Sequence, residues 1–277
     1  MKRIRLFLLS LSGNLQLVII IGATMILAFG AAIATRAFFD INQLAADKDL
    51  TLAVYTVLGT IYAILLAFVI AEIWENYREA VAAIQTETDA LMGLMYILGA
   101  FPAEETREIR TLALSYAQKV IDEWEALGRV AREKISPLGL SYDAAMTVVH
   151  AVQAIQPAND HETVVFEQAM IRVNIWLDAR RARLQSAKGG NAAPVWPLLI
   201  IGALVLFAFH GLFEARSLEI WVVVLLGLSA VVGLSFYLIF SLDSPFTGSL
   251  SAQVDPFQWV IDSWQRDKRL GPGPTAV

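Results

Sequence analysis

The chain has 277 residues, 57% hydrophobic and 17% charged, with a formal net charge of −5 and a mean hydropathy of +0.57. That apolar share exceeds the about 45–50% of an ordinary soluble domain, so the chain reads as a membrane protein. It has no cysteine, which excludes disulfides, Cys-ligated zinc, iron–sulfur clusters and thiol catalysis. Its acidic balance and dispersed basic residues argue against nucleic-acid binding.

Four apolar windows, 15–35, 52–73, 195–213 and 220–240, are long enough to cross a bilayer as helices of about 20 residues. The first follows Lys2, Arg3 and Arg5 as a secretory signal would, but its apolar stretch is too long and Arg36 sits at the cleavage position. It reads as a retained span. Lys and Arg are sparse in the loop after the first span (Arg36, Lys48) and between the last two (Arg216). They gather in the N-terminal segment, at Arg78, Arg172, Arg180, Arg181, Arg183 and Lys188 near the junctions of the middle segment, and at Arg266, Lys268 and Arg269. The positive-inside rule then puts both termini and the middle segment in the cytoplasm.

The second span, 52–73, carries Thr56, Thr60, Ile64, Phe68 and Glu72 at every fourth position, beside a row of small residues, Gly59, Ala63, Ala67 and Ala71. The first row reads as a pore lining, with hydroxyls offered to a water path, a hydrophobic constriction at Ile64 and Phe68, and a carboxylate at the inner end. Glu72 has a second reading, an interfacial acid that reaches water. The small row allows close helix approach, either within one subunit or around an oligomeric axis. Trp74 and Tyr77 are aromatic anchors at the interface.

Apolar residues at helical spacing continue past the span through Tyr77, Val81, Ile84, Leu91, Met95 and Leu98, with a polar back face of Arg78, Glu79, Glu87 and Asp89, until Phe101 and Pro102. A second amphipathic helix follows, with Glu104, Glu105 and Glu108 in its first turn and an apolar stripe of Ile109, Leu112, Tyr116, Val120, Trp124 and Leu127. A turn at 136–139 leads to a third helix capped by Ser141, and 157–160 leads to a fourth carrying Val165, Ala169, Val173, Trp176 and Leu177. Arg180, Arg181, Arg183 and Lys188 at its end are read as holding topology and anionic lipid headgroups, and 188–193 as a short joint into the third span.

The fold class is therefore an all-α membrane protein: four transmembrane helices with a cytoplasmic helical bundle inserted between the second and third. The divisions are 1–73, 74–194, 195–240 and 241–277. His150, His161 and His210 are far apart and read as structural. No nucleotide-binding, nucleophile-elbow or zinc-protease motif occurs, so neither an enzyme, nor a cofactor, nor a metal site is expected.

The run AFVIAEIWENYREAVAAIQTETDAL (67–91) and the run SLDSPFTGSL (241–250) resemble the bacterial and plant family of unknown function described as bestrophin-like, and the order of spans does so over nearly the whole chain. A more distant resemblance is to the bestrophins, pentameric anion channels whose second span lines an apolar neck. It implies an ion channel, inorganic ions and membrane lipids as partners, and a homo-oligomer, most simply a pentamer, with neck positions at Thr56, Thr60 and Ile64. Glu72 stands where bestrophins carry a basic residue, which leaves anion and cation selectivity both open. The acidic cluster that binds Ca²⁺ in bestrophins is replaced by Ser249 to Gln253, with only Asp243 and Asp255 nearby, too few for a six- to eight-oxygen site. Asp243, Pro245, Phe246 and Gly248 are expected to form a tight turn that docks Phe257, Trp259 and Trp264 onto the cytoplasmic helices. The short N-terminus without a transit peptide suits a bacterial inner membrane. The competing reading is a non-conducting scaffold or sensor whose cytoplasmic helices bind a partner.

Overall fold

The computed structural model of the chain describes residues 7–9, 11–39, 48–130, 141–187, 192, 194–213, 217–246, 250–252 and 254–270. The N-terminal basic residues, the turn at 136–139, Lys188, Arg216 and Gly248 lie outside them. Among the described residues the regular structure is helical: α1 (Gly13–Phe38), α2 (Lys48–Ile97), α3 (Ala103–Val130), α4 (Tyr142–Gln153), α5 (Asp160–Ser186), α6 (Trp196–Gly211), α7 (Leu218–Leu242) and α8 (Asp255–Leu270).

Three helices, α1, α2 and α7, are long and apolar enough to cross a membrane. α6 is apolar but has 16 residues, which spans about 24 Å, short of the roughly 30 Å hydrocarbon core. α2 has 50 residues and no proline, so it runs as one helix for about 75 Å from the apolar bundle into a helical head. It ends where a single 3₁₀ turn, Leu98–Ala100, gives way to Phe101 in an extended conformation (φ −93°, ψ 160°). The following Pro102 disfavours the helical region for Phe101.

Two hydrophobic cores sit along α2. In the apolar bundle, Ala28 and Ala32 of α1, Tyr62, Leu66 and Ile73 of α2, Leu199, Ala203 and Phe207 of α6, and Leu225 and Phe236 of α7 are buried together. Close approach here depends on glycine. A β-carbon at Gly211 would collide with the Ala32 carbonyl, and one at Gly202 would come within 2.6 Å of the Tyr62 ring. That ring lies against α6 because its hydroxyl donates to the Leu199 carbonyl at 3.0 Å. In the head, α2 packs chiefly on α5, and α3 on α4 and α8, around Leu91, Leu94, Met95, Tyr116, Val120, Val148, Val173, Trp176 and Phe257.

Two helix starts follow their local chemistry. The Asn159 side chain accepts from the Glu162 amide at 2.9 Å, and Glu162 reaches back to the Ala158 amide at 2.7 Å, a reciprocal cap. Ser217 accepts from the Ile220 amide at 3.3 Å. Ser141, expected to cap α4, makes no side-chain cap; its amide and hydroxyl donate instead to the Glu123 carboxylate at 2.6 and 3.0 Å. A tertiary partner has outcompeted the local one.

After α7, Phe246 is buried and packs edge-on to Trp124 with centroids 4.7 Å apart. The Pro245 carbonyl accepts from the Ala252 amide at 2.6 Å. α8 buries Phe257, Val260, Ile261 and Trp264 against the head, a one-sided spacing of 3, 1 and 3. Trp259 falls off that stripe and is 53% exposed, contrary to the expectation that it docks.

Candidate functional site

α2 buries Tyr62, Leu66 and Ile73 toward α6 and α7 and leaves its other side uncovered. Thr56, Thr60, Ile64, Phe68 and Glu72 are all exposed in the single chain, Ile64 by 53% and Phe68 by 72%. The Thr56 and Thr60 hydroxyls donate to the Leu52 and Thr56 carbonyls at 2.8 and 2.9 Å. Their donors are thus satisfied locally, and their oxygen lone pairs still face outward.

Each fourth residue lies 40° beyond a full turn, so the row sweeps about 160° around α2 from Thr56 to Glu72. An i±4 ridge of this kind is inclined by about 26° to the helix axis. Tilting α2 by about that angle, within the range usual for membrane helices, would align Thr60, Ile64 and Phe68, the middle of the row, along one line, with Thr56 and Glu72 pointing about 80° to either side of Ile64. Ala63, Ala67 and Ala71 of the small-residue row are also exposed, and nothing lies within 4 Å of a β-carbon placed on Gly59. The row does no packing within the subunit. Trp74 and Tyr77 follow, their rings 6.0 Å apart.

A second constellation lies inside the head and was not expected. Arg183 of α5 donates to Glu87 of α2 through Nε at 2.6 Å and Nη2 at 3.2 Å, and its Nη1 is 3.9 Å from Glu123 of α3. The Tyr116 hydroxyl donates a short hydrogen bond to Glu87. Arg180 reaches the Ser141 hydroxyl at 3.3 Å, and Phe257 of α8 lies 5.7 Å from the Arg183 guanidinium. All four charged groups are buried. Burial, then the Glu87 charge, pushes the Tyr116 hydroxyl well above its usual range. Burial alone would lower Arg183, but the Glu87 carboxylate outweighs it and holds the guanidinium above its ordinary value.

Arg180 and Arg183 are therefore core residues, not the lipid-facing pair expected from their nearness to a span; Arg181 is exposed and pairs with Asp178 at 2.9 Å. Their burial has a sequence signal: 169, 173, 176, 180 and 183 form one row spaced 4, 3, 4 and 3. Glu87 likewise falls between Ile84 and Leu91 on the apolar stripe of α2, not on its polar back.

At the opposite end of the bundle, Arg36 donates to the Gly211 and Phe213 carbonyls at 3.2 and 2.8 Å and lies 4.3 Å from the Trp221 ring centroid. It closes the C-terminus of α6, where a cation suits the helix dipole. His210 is buried beside it, with Nε2 3.4 Å from the Trp221 carbonyl.

Among the described residues no group of three His, Asp or Glu side chains could hold a metal ion. Asp243 is buried and accepts from the Ala192 amide at 3.0 Å, while Asp255 is exposed at the start of α8. This pair does not fit the carboxylate-rich, many-oxygen shell that calcium takes.

The backbone is similar to that of a bacterial bestrophin homologue from Klebsiella pneumoniae, solved in several single-residue variants. Two of them align with TM-scores of 0.66 and 0.67, at 14% and 13% identity, covering 90% and 91% of this chain and 99% and 98% of theirs. A third aligns at 0.62 and 14%, covering 93% of this chain and all of its own. No curated protein matches the sequence. The bestrophin-like domain matches residues 22–257, most of the sequence. The chain belongs to the bestrophin-like family.

Proposed function

We propose that the protein is an oligomeric ion channel of bestrophin type, most simply a pentamer, with α2 of each subunit around the axis. α1, α2 and α7 would cross the membrane, and the shorter α6 would complete a fourth crossing together with the flanking Val195, Leu212 and Phe213, with the head and both termini cytoplasmic, in a bacterial inner membrane. The observation that carries this reading is the uncovered side of α2. Ions would pass the Thr56 and Thr60 hydroxyls, a constriction at Ile64 and Phe68 that gates by dewetting, and a ring of Glu72 carboxylates. Gly59, Ala63, Ala67 and Ala71 would let neighbouring copies of α2 approach closely. A carboxylate ring attracts cations, while the bestrophins themselves conduct anions, so selectivity is what the first experiment reads. Purified protein in a planar bilayer under a KCl gradient should carry current. A reversal potential near that of potassium assigns selectivity to Glu72, one near that of chloride assigns it elsewhere, and no current at any voltage sinks the channel.

A non-conducting scaffold is favoured by a different observation. Val164, Ile171 and Ile175 form an exposed apolar row on α5, opposite the buried row of Ala169, Val173 and Trp176, as a partner-binding head would present. An assembly with no water-accessible axis supports this second reading.

A further inference from the structure

Where α2 leaves the apolar bundle, a cleft of about 570 Å³ opens between α2, the segment after α7 and the start of α8. Its lining includes Trp74, Tyr77 and Gln85 from α2, Leu242 from α7, and Ser251 and Asp255. Three features define what it would take. Two aromatic rings, 6.0 Å apart, supply electron-rich faces that attract a cation. Asp255 supplies the only charge among the described lining residues, and it is negative. Arg78, next to Tyr77 in the chain, is not among the residues that line the cleft, and its guanidinium is 3.2 Å from Glu75. The position is equally specific. Trp74 directly follows the last apolar turn of the span, at the level where interfacial aromatics meet lipid headgroups, and Leu242 and Leu250 form an apolar wall.

We propose that this cleft binds a phospholipid whose headgroup carries an ammonium, as in phosphatidylethanolamine or phosphatidylcholine. The ammonium would sit between Asp255 and the rings of Trp74 and Tyr77, with the glycerol end against Leu242 and Leu250. This inference is independent of conduction: it holds for a channel and for a scaffold.

The full chain, purified and delipidated, is offered equal amounts of phosphatidylethanolamine, phosphatidylcholine and phosphatidylglycerol, and retained lipid is read by native mass spectrometry. The two ammonium lipids should be retained about tenfold over phosphatidylglycerol, the size of effect expected of a desolvated cation–π contact with a carboxylate. Asp255→Asn, which keeps the size of the side chain and removes its charge, and Trp74→Leu should each abolish the preference. Asp255→Glu should retain it, and helicity by circular dichroism should be unchanged in all three. Equal retention of the three lipids by the unsubstituted chain overturns the proposal, as does a preference that survives both variants. Displacement of the lipid by millimolar free choline assigns the cleft to a soluble amine and overturns the lipid. A change in oligomer size in the variants, with lipid preference intact, assigns it to a second copy of the chain and likewise overturns it.

Discussion

Arg183 and Glu87 meet in a two-point hydrogen bond, at 2.6 and 3.2 Å, across the packed faces of α5 and α2. The pair sits in the core of the head, 96 residues apart in sequence. Removing Arg183 leaves Glu87 as an uncompensated buried charge, which costs about 3–5 kcal/mol, and removing Glu87 leaves Arg183 only the more distant Glu123 at 3.9 Å. Glu87→Leu or Arg183→Met alone should therefore lower the thermal midpoint in detergent sharply. The double variant, which restores charge balance, should recover most of the loss. Additive losses would show that the two charges are not coupled.

Tyr116 gives the head a stability that is lost at alkaline pH. Its hydroxyl titrates above its ordinary value in the fold, so its contribution is complete below about pH 10, the unfolded value. That contribution is lost as pH rises from there toward the folded value, at about 1.4 kcal/mol per pH unit. Denaturant midpoints measured between pH 9 and 11 should fall in the unsubstituted chain, and the slope should flatten in Tyr116→Phe.

Glu72→Gln should shift the reversal potential in a KCl gradient, because the proposed carboxylate ring loses its charge while its shape is kept. An unchanged potential removes Glu72 from the filter and leaves it as an interfacial acid.

Thr56 is exposed in the single chain, so Thr56→Trp should leave the subunit folded. On the channel reading it reduces current by obstructing the axis, with the oligomer intact on size exclusion. Dissociation of the oligomer without any conductance in the unsubstituted protein would point instead to buried packing at this face.

Gly211→Ala should be destabilising by about 1–3 kcal/mol, because the added carbon meets the Ala32 backbone, which cannot rotate away as a side chain would. Gly59→Ala provides the contrast. It has open space around it, so within the subunit it should only stabilise the helix, by about 0.5–1 kcal/mol, and a loss of the assembly would report a neighbouring subunit.

Much of this architecture is written locally. The long run of α2 was legible because its apolar spacing continues past Trp74 with no breaker before Pro102, and the start of α3 was marked by its acids. The buried cluster was less visible for a physical reason. Arginines near a span are usually topological, and only the 4, 3, 4, 3 row through Ala169, Val173, Trp176, Arg180 and Arg183 separates a core role from a surface one. Ser141 was misread as a cap because its true partner, Glu123, is 18 residues away, beyond the reach of any local rule. For α2 itself, spacing identifies the rows but not what they meet, since a face that looks toward an axis and one that looks toward lipid carry similar residues.

The uninterrupted course of α2 makes it a lever. From Trp74 to Ile97 it extends about 36 Å beyond the apolar bundle, with no proline to absorb a bend. Glu87 rides on this arm, clamped to α5 by Arg183. Pivoting the arm by about 5° at its membrane end would carry its far tip roughly 3 Å, given that reach, and the clamped partner would have to travel with it. Motion at the head and motion at Thr56 through Glu72 are then two ends of one rigid displacement, and a stimulus acting on either end is felt at the other.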